Sequence, residues 1–583
     1  MPSTGQPNFL LVLVGAWLLI VVQLLAQYWG TTAHAFTDTD DAMRLVQLRD
    51  WLAGQGWYDL RQYRIAGGYE THWSRLIDAG LAPTLWFFSL FAAPELAERL
   101  MFTAWPLLWL LPAMAAIAAV AWRIAGREAA LVALLMAVIG LPALQQFRPG
   151  RIDHHNVQMA LCFVVLAATV WSDRVRWTAA VAGAVTGLAL AIGLESLPYL
   201  MLCGAAFALR YVFDPKGADA ARQYGLALAA SSLATFVATV APNSWTRVLC
   251  DAFAINWLVL VVVAGAGLAL IAWHASGRLS LRLACALAVG ATACALALSF
   301  DPRCAGGPYR VIDPAAWPIW LAHVHENKSL LETLAARPLV AIAVVAFPAL
   351  ACIAAAALMS QSGSRRDFGF LVATAAFFVA AIMTVEAIRS AMYATWLGMP
   401  LVAAFALQLF EVLRLRRLAP RVAVGVMLTP AALSLGAISI ADAAGIGSAR
   451  DFGRPTAEAC FEKQTYAPLA GIPPGVIAAD VNFGSFLLAL TPHSVVVAPY
   501  HRLAPTIVEA HRAFAAPPEK ARALLGQLRA DYVMICGKHD PSGLSDAELA
   551  ASLWGNLTAG AVPDWLEAVS LGEAQPISVY RIR

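Results

Sequence analysis

The sequence has little charge. Only 13% of its 583 residues are Asp, Glu, Lys or Arg, about half the share in an average soluble domain. The net charge is +3, so there is no basic surplus to attract nucleic acid. Nine cysteines occur without a CxxC pair or a Cys/His cluster, which argues against a zinc or iron–sulfur site. The first apolar run, 8–27, has no basic segment before it and no small-residue cleavage pattern after it. It reads as a retained helix and not as a signal peptide. Internal repeats and low-complexity segments are absent.

What is present is apolar. Apolar residues make up 60% of the chain and the mean hydropathy is +0.67, as expected of a chain solvated mainly by lipid. Further apolar runs lie at 98–122, 128–146, 157–172, 177–194, 197–212, 224–241, 254–273, 284–299, 338–359, 370–387, 391–412 and 422–441. They predict about thirteen membrane-spanning helices. The stretch 81–93 is too short to span and is assigned to the interface. Parity divides the loops into two sets. One is short and carries Arg123, Arg127, Arg174, Arg176, Arg210, Lys216, Arg222, Arg278, Arg282, Arg365, Arg366, Arg414, Arg416, Arg417 and Arg421. The other holds the long loops 28–80 and 300–337. Short basic loops mark the cytoplasmic side, so the long loops and the tail from 442 face outwards. In that tail, β-like runs at 475–481, 494–499, 531–536 and 577–582 alternate with helical stretches at 518–529 and 545–554. The expected organisation is a transmembrane unit, 1–441, and an outer α/β domain, 442–583. Most cysteines pack in apolar runs, and Cys460 and Cys536 are able to pair if the tail is extracytoplasmic.

Acidic residues are too costly for mid-membrane positions. Asp38, Asp40 and Asp41 must therefore lie just beyond the first helix. Thr39 and Asp40 suit the cap of a helix beginning near Asp41, with Leu45, Leu48 and Leu52 on one face. These acids either cap and solvate that helix or ligate a divalent cation. A second cluster runs from Arg148 to Asn156. Asp153 and His155 in it are either a cap and an interfacial imidazole or two ligands of one metal. Glu386 and Arg389 are spaced i, i+3, either as a structural pair or with Arg389 meeting a phosphate. Glu195, at a span end, receives no role. The loop 300–337 carries Trp317, Trp320 and the polar run 323–328, and a loop this long is commonly functional.

These pieces, in this order, resemble the GT-C glycosyltransferase superfamily, and in particular the catalytic subunits of archaeal oligosaccharyltransferases. Thr39-Asp-Asp-Ala-Met-Arg-Leu45 is similar to the family's first acidic motif. Tyr69-Glu-Thr-His-Trp-Ser-Arg-Leu76 is similar to the stretch closing the first outer loop. Arg151-Ile-Asp-His-His155 resembles the second acidic motif, Val324-His-Glu326 the Val-x-Glu motif, and Arg389-Ser-Ala-Met-Tyr393 the stretch whose Arg meets the donor phosphate. The resemblance implies a membrane glycosyltransferase with a polyprenyl-phosphate- or pyrophosphate-linked donor, acting at the outer face of a bacterial inner membrane. It implies that Asp41, Asp153 and His155 bind Mn²⁺ or Mg²⁺, that Asp41 or Asp40 serves as base, and that Glu326 completes the site. It implies that Arg389 holds the donor phosphate. His72, Trp73 and His154 are weaker carry-overs. The family's tandem-Trp sequon motif is missing. The matching place is 479–485, followed by Tyr500, His501 and Arg502, which suit either an acceptor-facing edge or a strand end. The acceptor is then a glycan, a lipid or a protein. The rival reading is a transporter or flippase, which predicts charges buried mid-span and paired broken helices.

Overall fold

The computed structural model describes residues 8–583 apart from 275–276, 308–311, 362, 364–366, 449–457, 538–543 and 573–574. Among the described residues, seven helices are long and apolar enough to cross a membrane: Phe9–His34, Pro94–Val138, Ile255–Trp273, Leu279–Phe300, Pro338–Met359, Phe368–Glu386 and Ile388–Val412. Leu418–Met427 and Pro430–Ala443, bent by 58°, add an eighth if they form one span. The expected count of thirteen is higher for a geometric reason. His155–Trp171, Thr178–Ile192 and Leu197–Phe213 have only 17, 15 and 17 residues. At about 1.5 Å per residue they fall short of a roughly 30 Å hydrocarbon core. Ala218–Thr239 has the length, with 22 residues, but its Asp219, Arg222, Ser231 and Ser232 dilute its apolarity. Leucines such as Leu10, Leu11, Leu19 and Leu287 stand exposed on helix surfaces, an arrangement stable only where the surroundings are apolar.

The run 98–122 and the first part of 128–146 lie in one long helix, Pro94–Val138, broken at Ala125 and Gly126. Gly126 has φ +82° with open space at its Cβ position, so the backbone turn alone selects glycine. The second limb ends at Val138. The chain then tightens into a 3-10 turn, Leu141–Phe147, which delivers residues 148–155 to the site. On the opposite end, Arg123 bonds Asp173 at 2.6 Å and Asp367 at 2.9 Å. Three loops assigned to one side by parity thus meet. Arg365 and Arg366 lie outside the described residues.

The C-terminal segment carries a five-stranded mixed sheet in the order Ser494–Val495, Val476–Ala478, Tyr532–Cys536, Ile577–Ile582, Leu566–Ala568. The first three strands run parallel and the last two pair antiparallel. Helices Pro518–Gln527 and Asp546–Ala551 fall where expected. The second ends early because Ser552 caps a new helix, Leu553–Thr558. The helix Ala504–Ala515, which buries Ala504, Ile507, Val508 and Phe514 on one face, and the three-residue strand Leu566–Ala568 add to the expected elements. Cys460 pairs with Cys536 and Cys250 with Cys304.

This segment sits directly on the loop after the first helix. Val495 exchanges backbone hydrogen bonds with Arg64 and Ala66, both at 2.8 Å. Arg64 donates to the carbonyls of Leu488 and Thr491, and Arg49 to that of Ala489. The loop 28–80 and the tail from 458 therefore occupy one face of the molecule.

Candidate active site

Asp38, not Thr39 or Asp40, caps the helix Thr39–Leu52, accepting from the backbone N–H of Asp40 at 2.7 Å. The helix consequently starts two residues earlier than expected, with Asp40 and Asp41 in its first turn. Successive helix residues point about 100° apart, so the two carboxylates diverge. Asp41 is 1% exposed. Its Oδ1 accepts the backbone N–H groups of Ile152 and Asp153 at 2.7 and 3.2 Å. Its buried Oδ2 has no hydrogen-bond partner and lies 3.4 Å from Arg151. Asp153 is fully buried, and its Oδ1 accepts the backbone N–H of His155 at 2.9 Å. Arg151 also pairs with Asp38 and with Asp153.

Two ligand-like groups share Asp153. Asp40, Asp153 and His155 bring one donor atom each within 4.8 Å of one another, and so do Asp38, Asp41 and Asp153. The expected trio of Asp41, Asp153 and His155 is therefore divided. Asp40 takes the place beside His155, because Asp41 is turned towards the 151–153 backbone. Three carboxylates, Asp38, Asp41 and Asp153, pair with one guanidinium here, and Asp40 lies within reach of its charge. Burial, then Asp38, Asp153 and Glu326, push Asp40 well above its ordinary range. Burial raises Asp41 as well, with Asp153 and Asp38 adding to it against Arg151. Burial also opposes ionisation of Asp153, but Arg151, His155 and His154 together outweigh it and hold that carboxyl low. A divalent cation would relieve this crowding. The orphaned Asp41 Oδ2 and the oxygen-rich donor set fit one of the hard type, with an imidazole that Mn²⁺ accepts.

His154 points the other way, to Glu195, at 2.9 Å. Glu195 is held well below its usual range; burial works against this, and the His154 pair overcomes it. Sequence reasoning gave Glu195 no role. Its signal was a lone acid at the end of an apolar run. Trp73 is buried between Arg44, 4.8 Å from its ring, and His154 and Tyr500, at centroid distances of 5.6 and 5.3 Å. Arg44 and Arg75 both bond the buried Asp78 at 3.1 Å, which fixes the wall behind Trp73.

Glu326 is exposed on the 3-10 turn His325–Asn327. Its charge reaches Asp40, but it joins no ligand group among the described residues. Together with His325, Lys328, Arg337 and Arg389 it lines a cavity of about 290 Å³. Glu386 and Arg389 do not share a helix face. Glu386 ends its helix, Ala387 is extended, and Arg389 lies in the next 3-10 turn.

The expected acceptor edge is built differently. Tyr500 is 3% exposed; it stacks on Tyr69 and bonds Ser485 at 2.9 Å and the Thr39 carbonyl at 3.3 Å. It fastens the C-terminal segment over the acidic helix, so its hydroxyl is not an open edge. Asp480 is engaged in capping, accepting from the backbone and the side chain of Asn482. His501 and Arg502 bond Asp251. His72 packs against His501 at a centroid distance of 4.5 Å, and burial, then His501 and Arg502, hold it neutral. Asp251 went unnoticed in sequence because a single acid in a loop carries no pattern. Cys250, Asp301 and Cys304 also cluster, but the two cysteines are joined as a disulfide and offer no thiolate.

No family model and no curated protein matches the chain. Solved structures do. The archaeal oligosaccharyltransferase AglB from Archaeoglobus fulgidus, in complex with an inhibitory peptide and a dolichol-phosphate, superposes with a TM-score of 0.67 at 16% identity, over 90% of this chain and 69% of that one. The apo form of the Archaeoglobus fulgidus enzyme gives 0.66 at 17% identity, over 92% and 70%. Its complex with Zn and sulfate gives 0.64 at 16% identity, over 90% and 68%. The chain thus has the fold seen in the oligosaccharyltransferase of Archaeoglobus fulgidus.

Proposed function

We propose that the protein is an integral-membrane glycosyltransferase that transfers a sugar or glycan from a polyprenyl-phosphate-linked donor to an extracytoplasmic acceptor. The observation that carries this reading is the meeting of Asp40 with Asp153 and His155, from loops more than a hundred residues apart, beside a cavity rimmed by Arg389, Arg337 and Lys328. Clustered cations next to clustered acids suit a sugar phosphate. The guanidinium and ammonium groups receive the phosphate, and the acids receive a cation and the acceptor proton. The transmembrane helices give the lipid tail a place at the same depth. Two disulfides on the face shared by the long loops and the tail fit an oxidising compartment, which supports an outward orientation of that face. The expected spans include the three short apolar helices His155–Trp171, Thr178–Ile192 and Leu197–Phe213.

In the reaction the acceptor nucleophile attacks the anomeric carbon, and the carbon–oxygen bond to phosphate breaks with its electron pair leaving on the phosphate. Arg389 stabilises that developing charge. Asp40 takes the acceptor proton. Arg151 holds Asp38, Asp41 and Asp153 in place. A bound Mn²⁺ or Mg²⁺ at Asp40, Asp153 and His155 would supply Lewis-acid stabilisation of the leaving phosphate. Glu326, which lines the same cavity as Arg389, would lie on the donor side.

The test is reconstitution of the full chain in liposomes with radiolabelled polyprenyl-phosphate sugars extracted from membranes of the source cells. Label should leave the organic phase in the presence of an acceptor extract, and Arg389→Ala should slow this at least tenfold. Label that crosses the bilayer with its phosphate bond intact would establish a flippase instead.

A further inference from the structure

We propose that His72, Asp251 and His501 form a second cation site, independent of the glycosyl-transfer reading and suited to Zn²⁺, that clamps the first outer loop, the 241–254 loop and the C-terminal segment together. The three residues come from separate parts of the chain. His72 follows the strand Tyr69–Glu70, Asp251 adjoins the Cys250–Cys304 disulfide, and His501 opens the turn His501–Leu503. Each places one donor atom within 4.8 Å of the other two. Tetrahedral zinc has bonds of about 2.0–2.2 Å, so its ligand atoms stand roughly 3.3 Å apart. Small side-chain rotations reach that geometry.

Two further observations point to a ligand. The Nδ1 atom of His72 is buried and has no hydrogen-bond partner, although buried polar atoms are nearly always satisfied. Asp251, in turn, is oriented from behind: Arg502 bonds both its oxygens, at 2.7 and 3.0 Å. Ligating carboxylates are commonly fixed by such outer partners. The donor chemistry differs from that at Asp40, Asp153 and His155. Two imidazoles and one carboxylate favour zinc and its neighbours over Mg²⁺. A cavity of about 640 Å³ lined by His72 and Arg502 has room for a water as fourth ligand. Without metal the same residues act as an ion-pair network, with His501 bonding Asp251 at 2.6 Å. The cation would replace that hydrogen bond.

The experiment uses the full-length protein purified in detergent, stripped with a chelator and titrated with Co²⁺, whose visible absorption is intense only in tetrahedral sites. The wild type should take up one equivalent with these bands, displaced by Zn²⁺ and not by Mg²⁺, and Zn²⁺ should raise its melting temperature. His72→Gln and His501→Gln should each abolish the bands with an unchanged gel-filtration profile, and Asp153→Asn should keep them. The proposal is overturned if the wild type shows no such bands, if they survive in His72→Gln, or if Asp153→Asn alone removes them. Should His501→Gln fail to fold, His72→Gln decides the question by itself.

Discussion

The carboxylate of Asp41 accepts the backbone N–H of Ile152 at 2.7 Å across 111 residues of sequence. This bond joins the first outer loop to the loop before His155–Trp171, and so sets the distance between the two acidic clusters. Asp41→Ala would leave two backbone donors unsatisfied and remove one partner of the buried Arg151. We expect a loss of about 2–4 kcal/mol, read as a lower melting temperature in detergent. Asp41→Asn, which keeps an acceptor oxygen, should lose clearly less. Equal losses would show that the bond does not position the site.

Metal dependence should follow Asp153 and His155. With Asp40 they form the only described donor group that combines hard oxygens from both acidic clusters with an imidazole. Asp153→Asn and His155→Ala should each lower the transfer rate by about 10²-fold or more, the scale on which one electrostatic partner of a developing charge counts. They should also raise the Mn²⁺ concentration needed for half-maximal rate. Full activity after exhaustive chelation would exclude the metal role.

Asp78 neutralises two buried guanidinium groups, those of Arg44 and Arg75. Asp78→Ala should destabilise the protein by about 3–5 kcal/mol, because it strands charge in a site that cannot solvate it. Thermal unfolding measures this, and a loss under 1 kcal/mol would mean that water reaches the pair.

Lys463 donates to the carbonyl of Thr32 at 2.9 Å and lies over the ring of Phe36. Burial lowers its pKa to about 8. The unfolded chain, with an ordinary lysine near 10.4, then binds more protons between about pH 8 and 10.4. Stability should therefore rise with pH across that window. Lys463→Met should flatten the rise. An unchanged slope in the variant would assign the titration to another group.

A peptide bearing Asn-x-Thr should not be glycosylated in the reconstituted assay. The segment 479–485 lacks tandem Trp. Its Asp480 is spent on capping Asn482, and its Ser485 is buried against Tyr500. Discrimination of a small hydroxyl needs a pocket whose polar groups go unpaired without it, and nothing in 479–485 provides one. Transfer of label to the peptide that depends on its Thr would restore sequon recognition.

Composition alone determined that this chain lives among apolar surroundings, because no soluble fold can hide so many leucines and alanines behind so few charges. The cost of an acid at mid-membrane singled out Asp40, Asp41 and Asp153, which had to lie just beyond the ends of the spans. Strand and helix periods placed most of the C-terminal sheet. The strand left out, Leu566–Ala568, has only three residues, too few to show a period. The choice of Asp40 over Asp41 as partner of His155 came from the helix beginning at Thr39, two residues earlier than expected, which puts both acids in its first turn, about 100° apart. Arg151 as the hub of the acids, Glu195 under His154, and Asp251 between His72, His501 and Arg502 depend on contacts between loops far apart in sequence. Such pairings are decided by how the helices pack, and a lone charged residue in a loop gives no sign of the partner that packing will bring to it.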